Sequence, residues 1–310
     1  MKILVTGGAG FIGSHIADAY IRAGHEVVII DNLSGGFEEN IHEDAVFIKM
    51  DINNDKLFDI FSREKFDIVS HHAAQMNVRV SVENPKFDAK TNILGGLNIF
   101  EACRKFSVKK IIFASSGGTV YGEQVNFPAS ENDPTEPDSP YGISKLANEK
   151  YLAYYRKAFG LESCVFRYGN VYGPRQNPHG EAGVVAIFTE KMIRGGRPVI
   201  NGDGSITRDY VYIDDVIEAN LLALNKNISG IFNIGTGKES STNDVFKLLK
   251  EITASDCEEI HGPAKKGEQL RSLLAFDKFS NEASWQPKVS FYEGLKKTVE
   301  YFRNRDISAT

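Results

Sequence analysis

The sequence has few of the features that mark secreted, membrane-spanning or nucleic-acid-binding proteins. Its three cysteines are too few and too scattered for a disulfide framework or a zinc site (Cys103, Cys164 and Cys257). No apolar run reaches the roughly 18 residues that a membrane span needs. The net charge is −5, so nothing points to a nucleic-acid partner. We therefore expect a cytoplasmic protein without metal, membrane or nucleic-acid partners.

The size and composition indicate a large core. The chain has 310 residues, of which 42% are hydrophobic and 25% charged, which is typical of one or two globular domains. It shows no internal repeat and no low-complexity linker. A core strand is predicted from Lys2 onwards, which leaves no room for a signal peptide.

Four glycines lie between the first predicted strand and the first predicted helix. Residues 2–6 are apolar and β-branched, like a buried parallel strand, and residues 11–23 have apolar positions at helical spacing. Glycine at this junction allows a sharp turn, close approach of a pyrophosphate and tight packing of helix on sheet. The helix N-terminus then offers free N–H groups to phosphates. The pattern predicts a dinucleotide site at Gly7, Gly8, Gly10 and Gly13.

An acidic residue ends the second predicted strand. Residues 27–30 form an apolar run, and Asp31 follows it. A carboxylate at this place accepts hydrogen bonds from the adenosine ribose hydroxyls and repels the extra phosphate of NADP. The sequence therefore predicts NAD as the cofactor. The plainer interpretation is a turn followed by a surface acid.

Strand-like and helical stretches alternate through the first half of the chain. Further strands are predicted at 46–49, 67–70, 110–114 and 163–167, with helices near 55–63, 85–106 and 141–159. This alternation predicts the α/β class, with a Rossmann-type, doubly wound parallel sheet and helices on both faces. Glycines and prolines break the second half into short elements, with later helices near 242–253 and 291–303.

We expect two domains from this change of character. Residues 1–172 form the dinucleotide-binding domain, and segments near 205–235, such as a strand at 230–234, return to it. Residues 173–310 form mainly a smaller α/β lobe for the substrate. Because ligands bind at the carboxyl ends of strands in such sheets, this lobe should cap that edge and form a cleft.

A tyrosine and a lysine lie four residues apart on a predicted helix, in the segment Ser139-Pro-Tyr-Gly-Ile-Ser-Lys145. This spacing puts Tyr141 and Lys145 on one helix face. A free tyrosine has a pKa of about 10, but the lysine ammonium and the positive ring of NAD⁺ would lower it. The phenolate would then act as a base toward a hydroxyl proton. The alternative is a core tyrosine beside a solvated lysine.

A third group is expected to hydrogen-bond the reacting oxygen. The segment Ser115-Ser-Gly-Gly-Thr119 leaves the carboxyl end of a predicted strand, where the cofactor should lie. We select Ser116 for this role, with Thr119 as the reserve. The alternative is that these hydroxyls only stabilise a turn.

A series of segments resembles the extended short-chain dehydrogenase/reductase family, and most closely its UDP-glucose 4-epimerases (UDP-galactose 4-epimerases). In order, they are TGGAGFIG, DNLSGG, HHAAQ, SSGGTVYGE, SPYGISK, RYGNVYGPRQ, GEAGVVAIF, GDGSITRDYVYIDDV and FNIGTG. The resemblance covers nearly the whole chain. It implies a set of NAD contacts, which are Gly7, Gly10, Phe11, Ile12, Gly13, Asp31, Asn32, Asp51, Ile52, Ala73, Ala74, Gln75, Asn92, Ser115, Tyr141, Lys145 and Tyr168.

The same resemblance implies a site for a UDP-sugar. Arg208 resembles a clamp on the diphosphate, which suits the forked geometry of a guanidinium. The alternative for this residue is a surface ion pair with Asp209. The implied substrate contacts are Ser116, Tyr141, Asn170, Val184, Arg208, Lys265, Glu268, Arg271 and Ser272.

The chain departs from the family pattern at several places. Lys265 stands where an arginine is usual and Glu268 where an aspartate is usual, so that Arg271 or Arg175 would have to compensate. The catalytic loop is one residue longer than the common version. Ser272 stands where enzymes specific for plain hexoses often carry a bulky tyrosine, which leaves room for an N-acetyl group.

The implied activity is inversion at sugar carbon 4 through a transient 4-keto sugar. It would interconvert UDP-glucose and UDP-galactose and, with the space beside Ser272, UDP-GlcNAc and UDP-GalNAc. By analogy with the family, the chain forms a homodimer through the helices near 85–106 and 141–159.

Three alternatives share part of this chemistry. A UDP-glucuronate 4-epimerase or decarboxylase stays open, because the sequence does not place Arg79 or Arg175. A 4,6-dehydratase is disfavoured, because Gly117 and Gly118 stand where it needs an acid and a base. A non-catalytic NAD sensor has no need of Tyr141 and Lys145 together.

Overall fold

A computed structural model describes residues 1–179, 183–225, 228–264 and 269–308. The strands are β1 Lys2–Thr6, β2 Glu26–Asp31, β3 Val46–Lys49, β4 Ile68–His71, β5 Lys110–Ser116, β6 Glu162–Tyr168, β7 Asn170–Tyr172, β8 Val199–Asn201, β9 Thr207–Tyr212, β10 Gly230–Ile234, β11 Glu239–Ser241, β12 Ile260–Gly262 and β13 Arg271–Ser272. The α-helices are α1 Phe11–Arg22, α2 Leu57–Glu64, α3 Val78–Glu83, α4 Pro85–Ala89, α5 Gly95–Lys105, α6 Gly117–Val120, α7 Pro140–Phe159, α8 Val184–Ile193, α9 Ile213–Asn225, α10 Thr242–Thr253, α11 Asp277–Ala283 and α12 Phe291–Ser308.

Seven parallel strands form the central sheet, in the order β10-β6-β5-β4-β1-β2-β3. The predicted Rossmann-type fold is therefore confirmed. The strand order reverses at β1, whose neighbours are β2 on one side and β4 on the other. Connections leave in opposite directions at such a point and open a crevice at the carboxyl ends of the strands.

The core lies in two layers, one on each face of this sheet. Alternate residues of β1 point to opposite layers, so that Ile3 and Val5 pack with α1 and α9. Leu4 packs on the other face, with residues of α2, α5 and α7 such as Phe61 and Phe100. Burial on both faces explains why the parallel strands read as continuous apolar runs.

The helix predicted at 85–106 is interrupted. It consists of α4, a π-helical turn at Lys90–Leu94 and α5. The side chain of Asn92, within the π turn, bonds to both the N–H and the C=O of Gln75. π turns are frequent where a helix must present a side chain to a functional region.

The second half of the chain builds small sheets of its own and also extends the first. β9 lies in a four-stranded sheet with β7, β11 and β13, and β8 pairs with β12. β10 returns to the central sheet and pairs in parallel with β6, as predicted for residues 230–234. Within the described residues, no helix is long and apolar enough to cross a membrane.

Candidate active site

The turn after β1 has no space for side chains. Gly7 has a φ of +70°, and a Cβ there would lie 2.6 Å from the backbone N of Ala73. A Cβ on Gly13 would lie 2.2 Å from the carbonyl O of Gly7. Glycine is therefore required for the chain to pass this closely between β1, α1 and the segment after β4.

The N-terminus of α1 is open to an anion. Its N-cap residue, Gly10, makes no side-chain cap, and the first turn contains no acidic residue. The N–H groups of Phe11, Ile12 and Gly13 have no intrahelical acceptors, as in every first turn. Such N–H groups and the helix dipole together suit a pyrophosphate.

The predicted adenosine side lies at the ends of β2 and β3. Asp31 is 8% exposed and accepts hydrogen bonds from the N–H groups of Ala9 (3.0 Å) and Leu33 (2.8 Å). A carboxylate has about four acceptor positions, so two stay available for ribose hydroxyls. With the glycine turn and the open helix, this donor and acceptor set fits NAD.

Two further predicted cofactor residues bond to each other. The Asn32 amide donates to the Asp51 carboxylate at 2.8 Å. Burial disfavours charge on Asp51, but hydrogen bonds from the Asn53 N–H and the Asn32 amide outweigh it and leave the pKa of this carboxyl below its ordinary value. The side chain of Ile52 is buried in the core, so only its backbone faces the crevice edge.

The start of α7 carries Tyr141, the predicted catalytic tyrosine. Ser139 caps the helix by accepting from the N–H of Gly142 (3.2 Å), and Pro140 occupies the first turn. The N–H of Tyr141 donates to Ser81 Oγ at 3.2 Å. Lys145 lies one turn further along, with Nζ 5.7 Å from the centre of the Tyr141 ring. The two residues therefore share one face, as predicted.

The protein alone does not lower the pKa of the Tyr141 phenol. Burial raises it, the negative charge of Asp88 raises it further, and a hydrogen bond with the Ser116 hydroxyl acts in the opposite direction. The predicted lowering of this pKa requires the positive nicotinamide ring together with the Lys145 ammonium, and the chain without the cofactor does not produce it. The physical reason is that burial of the phenol outweighs these polar contacts.

Lys145 is held at the end of β5. Its ammonium donates to the carbonyl O of Ala114 at 2.7 Å and lies 5.0 Å from the centre of the Phe113 ring. Burial lowers the pKa of Lys145 to about 8, and the carboxylates of Asp88 and Glu149 oppose this shift. The lysine is therefore close to its own titration at neutral pH.

A buried ion pair, which the sequence did not predict, supports α7 one turn beyond Lys145. Arg167 on β6 donates to both carboxylate oxygens of Glu149, at 3.0 Å and 2.6 Å. Ser115 donates to the same carboxylate at 2.5 Å, and Arg167 also donates to Tyr121 at 2.8 Å. The feature of the sequence that could have indicated this ion pair is the position of Glu149, one turn beyond Lys145 on the same helix.

A second unpredicted acid lies beneath the segment after β4. Asp88 is fully buried and accepts from Gln75 Nε2 (2.9 Å), Asn92 Nδ2 (2.9 Å) and Ser144 Oγ (2.6 Å). This carboxylate therefore joins the predicted cofactor residues Gln75 and Asn92 to α7. Between Gln75 and the glycine turn lie Ala73 and Ala74, both half-buried.

Two predicted contacts turn their side chains away from the crevice. The Tyr168 hydroxyl lies in the core and accepts from the Asn220 amide at 2.9 Å. Ser115 is occupied by Glu149. By contrast, Asn170 faces the catalytic loop, because its Oδ1 is 3.6 Å from the position of a Cβ on Gly118.

The predicted substrate residues cluster on the four-stranded sheet. Arg208 on β9 is the register partner of Ser272 on β13 and of Ser240 on β11. Asp209, its neighbour, points to the opposite face and accepts from Thr236, Gly237 and Leu274, so the alternative of an Arg208–Asp209 ion pair is wrong.

The remaining substrate-side residues have separate positions. Arg271 pairs with Glu239 at 2.7 Å, and Arg175 pairs with Asp18 of α1 at 2.9 Å. Val184 is the first residue of α8. Lys265 and Glu268 lie outside the described residues.

Comparison with known proteins gives the same family throughout. Residues 3–235 match the NAD dependent epimerase/dehydratase family. The UDP-glucose 4-epimerase of Mycolicibacterium smegmatis is 44% identical over 312 residues, which cover 98% of this chain and 99% of that protein.

Solved structures agree with this match. A crystal structure of a Thermotoga maritima UDP-glucose 4-epimerase with UDP-glucose is 51% identical, with a TM-score of 0.97, and covers 98% of this chain and 99% of that one. A Thermus thermophilus UDP-glucose 4-epimerase in complex with NAD is 45% identical, with a TM-score of 0.94 and the same coverage. The chain therefore belongs to the NAD dependent epimerase/dehydratase family, as the order of its motifs predicted.

Proposed function

We propose that this enzyme interconverts UDP-glucose and UDP-galactose by NAD-dependent epimerisation at carbon 4. One observation carries the proposal: Ser116, Tyr141 and Lys145 meet at the carboxyl end of β5, beside a glycine turn fitted to a dinucleotide. The similar proteins described above are named UDP-glucose 4-epimerases, and their structures hold UDP-glucose or NAD.

The residues of the chain divide the proton chemistry. Tyr141, as phenolate, takes the proton of the sugar 4-hydroxyl, and Ser116 hydrogen-bonds the same oxygen. Lys145 supplies the positive charge that stabilises the phenolate. The chemistry supplied by NAD, when bound, is the acceptance of a hydride from carbon 4 and its return to the opposite face of the 4-keto sugar. Because burial raises the pKa of Tyr141, phenolate forms best when the positive nicotinamide ring adds its charge.

The predicted cofactor contacts remain part of this proposal. The open N-terminus of α1 holds the pyrophosphate, Asp31 and Asn32 the adenosine ribose, and Asp51, which accepts from Asn32, the adenine side. Tyr168 and Ser115 contribute through their backbone, since their side chains are engaged elsewhere.

The sugar nucleotide is held on the four-stranded sheet. Arg208 contacts the diphosphate, and Val184 lies at the uracil side. Ser272 is 1% exposed and is the register partner of Arg208. The extension of the substrate range to UDP-GlcNAc and UDP-GalNAc rests on the small residue at this position, where the family often has a bulky tyrosine.

The catalytic loop does not suit a 4,6-dehydratase. A Cβ on Gly117 would lie 2.5 Å from a methyl group of Leu274, so an acidic side chain there would have to displace a core residue. Arg175 pairs with Asp18 through Nη2, while its Nη1 is buried without a hydrogen-bond partner, so incubation with UDP-glucuronate is part of the test below.

The enzyme works as a homodimer in the cytoplasm. Large apolar side chains are exposed on the helices that the family pairs, including Phe87 (47%), Ile143 (52%), Tyr154 (56%) and Phe159 (49%). Burying them against a second copy would remove this apolar surface from water. The three cysteines are free and buried, which suits a reducing compartment.

Product analysis tests the proposal. Purified protein is incubated separately with UDP-galactose, UDP-GlcNAc and UDP-glucuronate, without added NAD, and the sugars are identified. Inversion at carbon 4 of UDP-galactose is expected, because the cofactor is regenerated in each cycle. A 6-deoxy-4-keto sugar, a pentose or inversion of the uronate alone would overturn it.

A further inference from the structure

Asp88 is a buried carboxylate that forms no direct ion pair with a described residue. It is fully buried, and its three hydrogen bonds come from the neutral groups of Gln75, Asn92 and Ser144. Within the ranges that the structure describes, no lysine or arginine forms an ion pair with it. Three donors hold the charge at a fixed point, so it cannot turn toward solvent.

The other buried acid of α7 shows how unusual this is. Glu149 is neutralised by Arg167, whose guanidinium contacts both of its oxygens. The charges of both acids act on Lys145, but only Glu149 is neutralised by a direct ion pair. A buried charge that is held by neutral donors alone is costly and is kept where it serves a function.

The charge of Asp88 reaches both catalytic groups. It raises the pKa of the Tyr141 phenol and opposes the effect of burial on the pKa of Lys145. It thus favours positive and disfavours negative charge at the place where the nicotinamide ring is proposed to lie. That ring is a cation in NAD⁺ and neutral in NADH.

We propose that Asp88 is a fixed counter-charge that favours the oxidised over the reduced form of the bound nicotinamide. An enzyme that must return its hydride in every cycle benefits, because the reduced cofactor left by early loss of a keto sugar would inactivate it. The proposal rests on the proposed cofactor site but not on the sugar, so it can be tested without substrate.

The test measures the dissociation constants of NAD⁺ and NADH, for the cofactor-free protein, at pH 6.5. At that pH Lys145, whose pKa is about 8 in the unaltered protein, carries its charge, and a repeat at pH 5.5 keeps it charged when the loss of the Asp88 carboxylate lowers this pKa. Asp88→Asn keeps the shape of the side chain. Its Oδ1 still accepts from Gln75 and Asn92, and its new amide N–H donates to the Ser144 hydroxyl, which can act as an acceptor. Loss of this negative charge should weaken the binding of NAD⁺ relative to that of NADH by about tenfold, which is the effect of one unit charge acting over about 10 Å at an effective dielectric of about 20.

Two control variants separate charge from shape. Ser144→Ala removes a donor but keeps the carboxylate, and Asp215→Asn removes another buried carboxylate, one that accepts from the backbone of Lys288 and Val289 far from α7. Both should leave the ratio of the two constants within about twofold, since neither removes the Asp88 charge.

The outcomes are distinct. If Asp88→Asn weakens both forms equally, Asp88 is only a brace for Gln75 and the proposal is wrong. If Asp88→Asn does not fold, Asp88→Ser replaces it, because the smaller serine side chain leaves space for water. The ratio of the NAD⁺ and NADH dissociation constants must then shift in the same direction. A different result would contradict the proposed function instead. In that case the ratio of the NAD⁺ and NADH dissociation constants shifts as expected in Asp88→Asn, but the unaltered enzyme does not turn over UDP-galactose.

Discussion

Two glutamate–arginine pairs, one in each half of the molecule, show how differently the halves are built. Glu149 and Arg167 approach to 2.6 Å with side chains 0% and 3% exposed. Glu239 and Arg271 approach to 2.7 Å, but their side chains are 29% and 44% exposed. The contacts are alike, while their surroundings are not.

The difference separates a fixed catalytic region from an adaptable binding region. Around α7, buried charges are satisfied by the protein and hold Tyr141 and Lys145 in place. On the four-stranded sheet, charged groups remain in contact with water and can exchange partners when a ligand arrives. Fixed geometry suits the chemical step, and adaptable charge suits a variable sugar.

Replacing Tyr141 with phenylalanine should have the largest effect on activity. The variant loses the phenol that is proposed to take the sugar proton, so turnover should fall by roughly three orders of magnitude or more. Bound cofactor, measured after denaturing the purified protein, should be unchanged. Turnover near that of the unaltered enzyme would mean that another group is the base.

Neutralising the two glutamates tests most directly whether the buried pair contributes more to stability than the exposed pair. Glu149→Gln leaves Arg167 buried without its counter-charge, and should lower the free energy of unfolding by about 3 kcal/mol or more. Glu239→Gln, in the exposed pair, should lower it by about 1 kcal/mol or less. Urea denaturation of both variants measures this, and equal losses would show that burial does not distinguish the pairs.

Histidines should respond to pH in opposite directions in the two halves. Burial, with the charges of Lys145 and His72, lowers the pKa of His71 to about 3, so an unfolded chain binds its proton first. The contribution of neutral His71 to the free energy of unfolding is fully present above its pKa in the unfolded chain, about 6.5. It declines below that pH, by about 2 kcal/mol at pH 5. His71→Gln should remove that share of the pH dependence measured by urea denaturation.

The exposed partner in this comparison is His261. A hydrogen bond with Glu259 raises the pKa of His261, so its contribution is present at low pH and is lost as the pH rises through the folded value. His261→Gln should therefore not reduce the destabilisation between pH 7 and 5. A variant that did reduce it would contradict the assignment of the acid sensitivity to the buried histidines.

Two serine caps should give the smallest effects and the sharpest contrast. Ser139 caps α7, and Ser241 caps α10 in a capping box with Asp244. Alanine at either position should lower the free energy of unfolding by about 1 kcal/mol. Only Ser139→Ala should also reduce kcat, because α7 positions Tyr141. If Ser241→Ala reduced kcat equally, the loss would reflect stability alone.

The sequence was sufficient where a short segment determines its own structure. The glycine turn, the end of β2 at Asp31 and the pairing of Tyr141 with Lys145 on one helix all follow from local spacing. Strand β10 could also be assigned, since residues 230–234 form an apolar run between turns. The fold class followed from the alternation of such segments.

What escaped prediction depends on contacts between distant segments. Asp88 is 53 residues before Tyr141 in the chain, and only packing of α4 against α7 brings its charge to the phenol. The direction of the Tyr141 pKa shift likewise depends on burial, which spacing does not reveal. The interruption at Lys90–Leu94 contains Asn92, whose side chain accepts from the N–H of Gln75. These two residues lie in different segments, so the helical periodicity of the sequence does not reveal their contact.

A ribosome delivers this chain from residue 1 onwards, so the catalytic layer is completed late in synthesis. β10 is the last of the seven strands to emerge, yet it lies against β6, and its Asn233 accepts from the Tyr121 hydroxyl that Arg167 contacts. Until residue 234 has left the exit tunnel, the growing protein has six strands and an unfinished edge. The contact between Asn233 and Tyr121 thus forms only after β7, β8 and β9 of the second half have emerged, and before β11 and β13 follow.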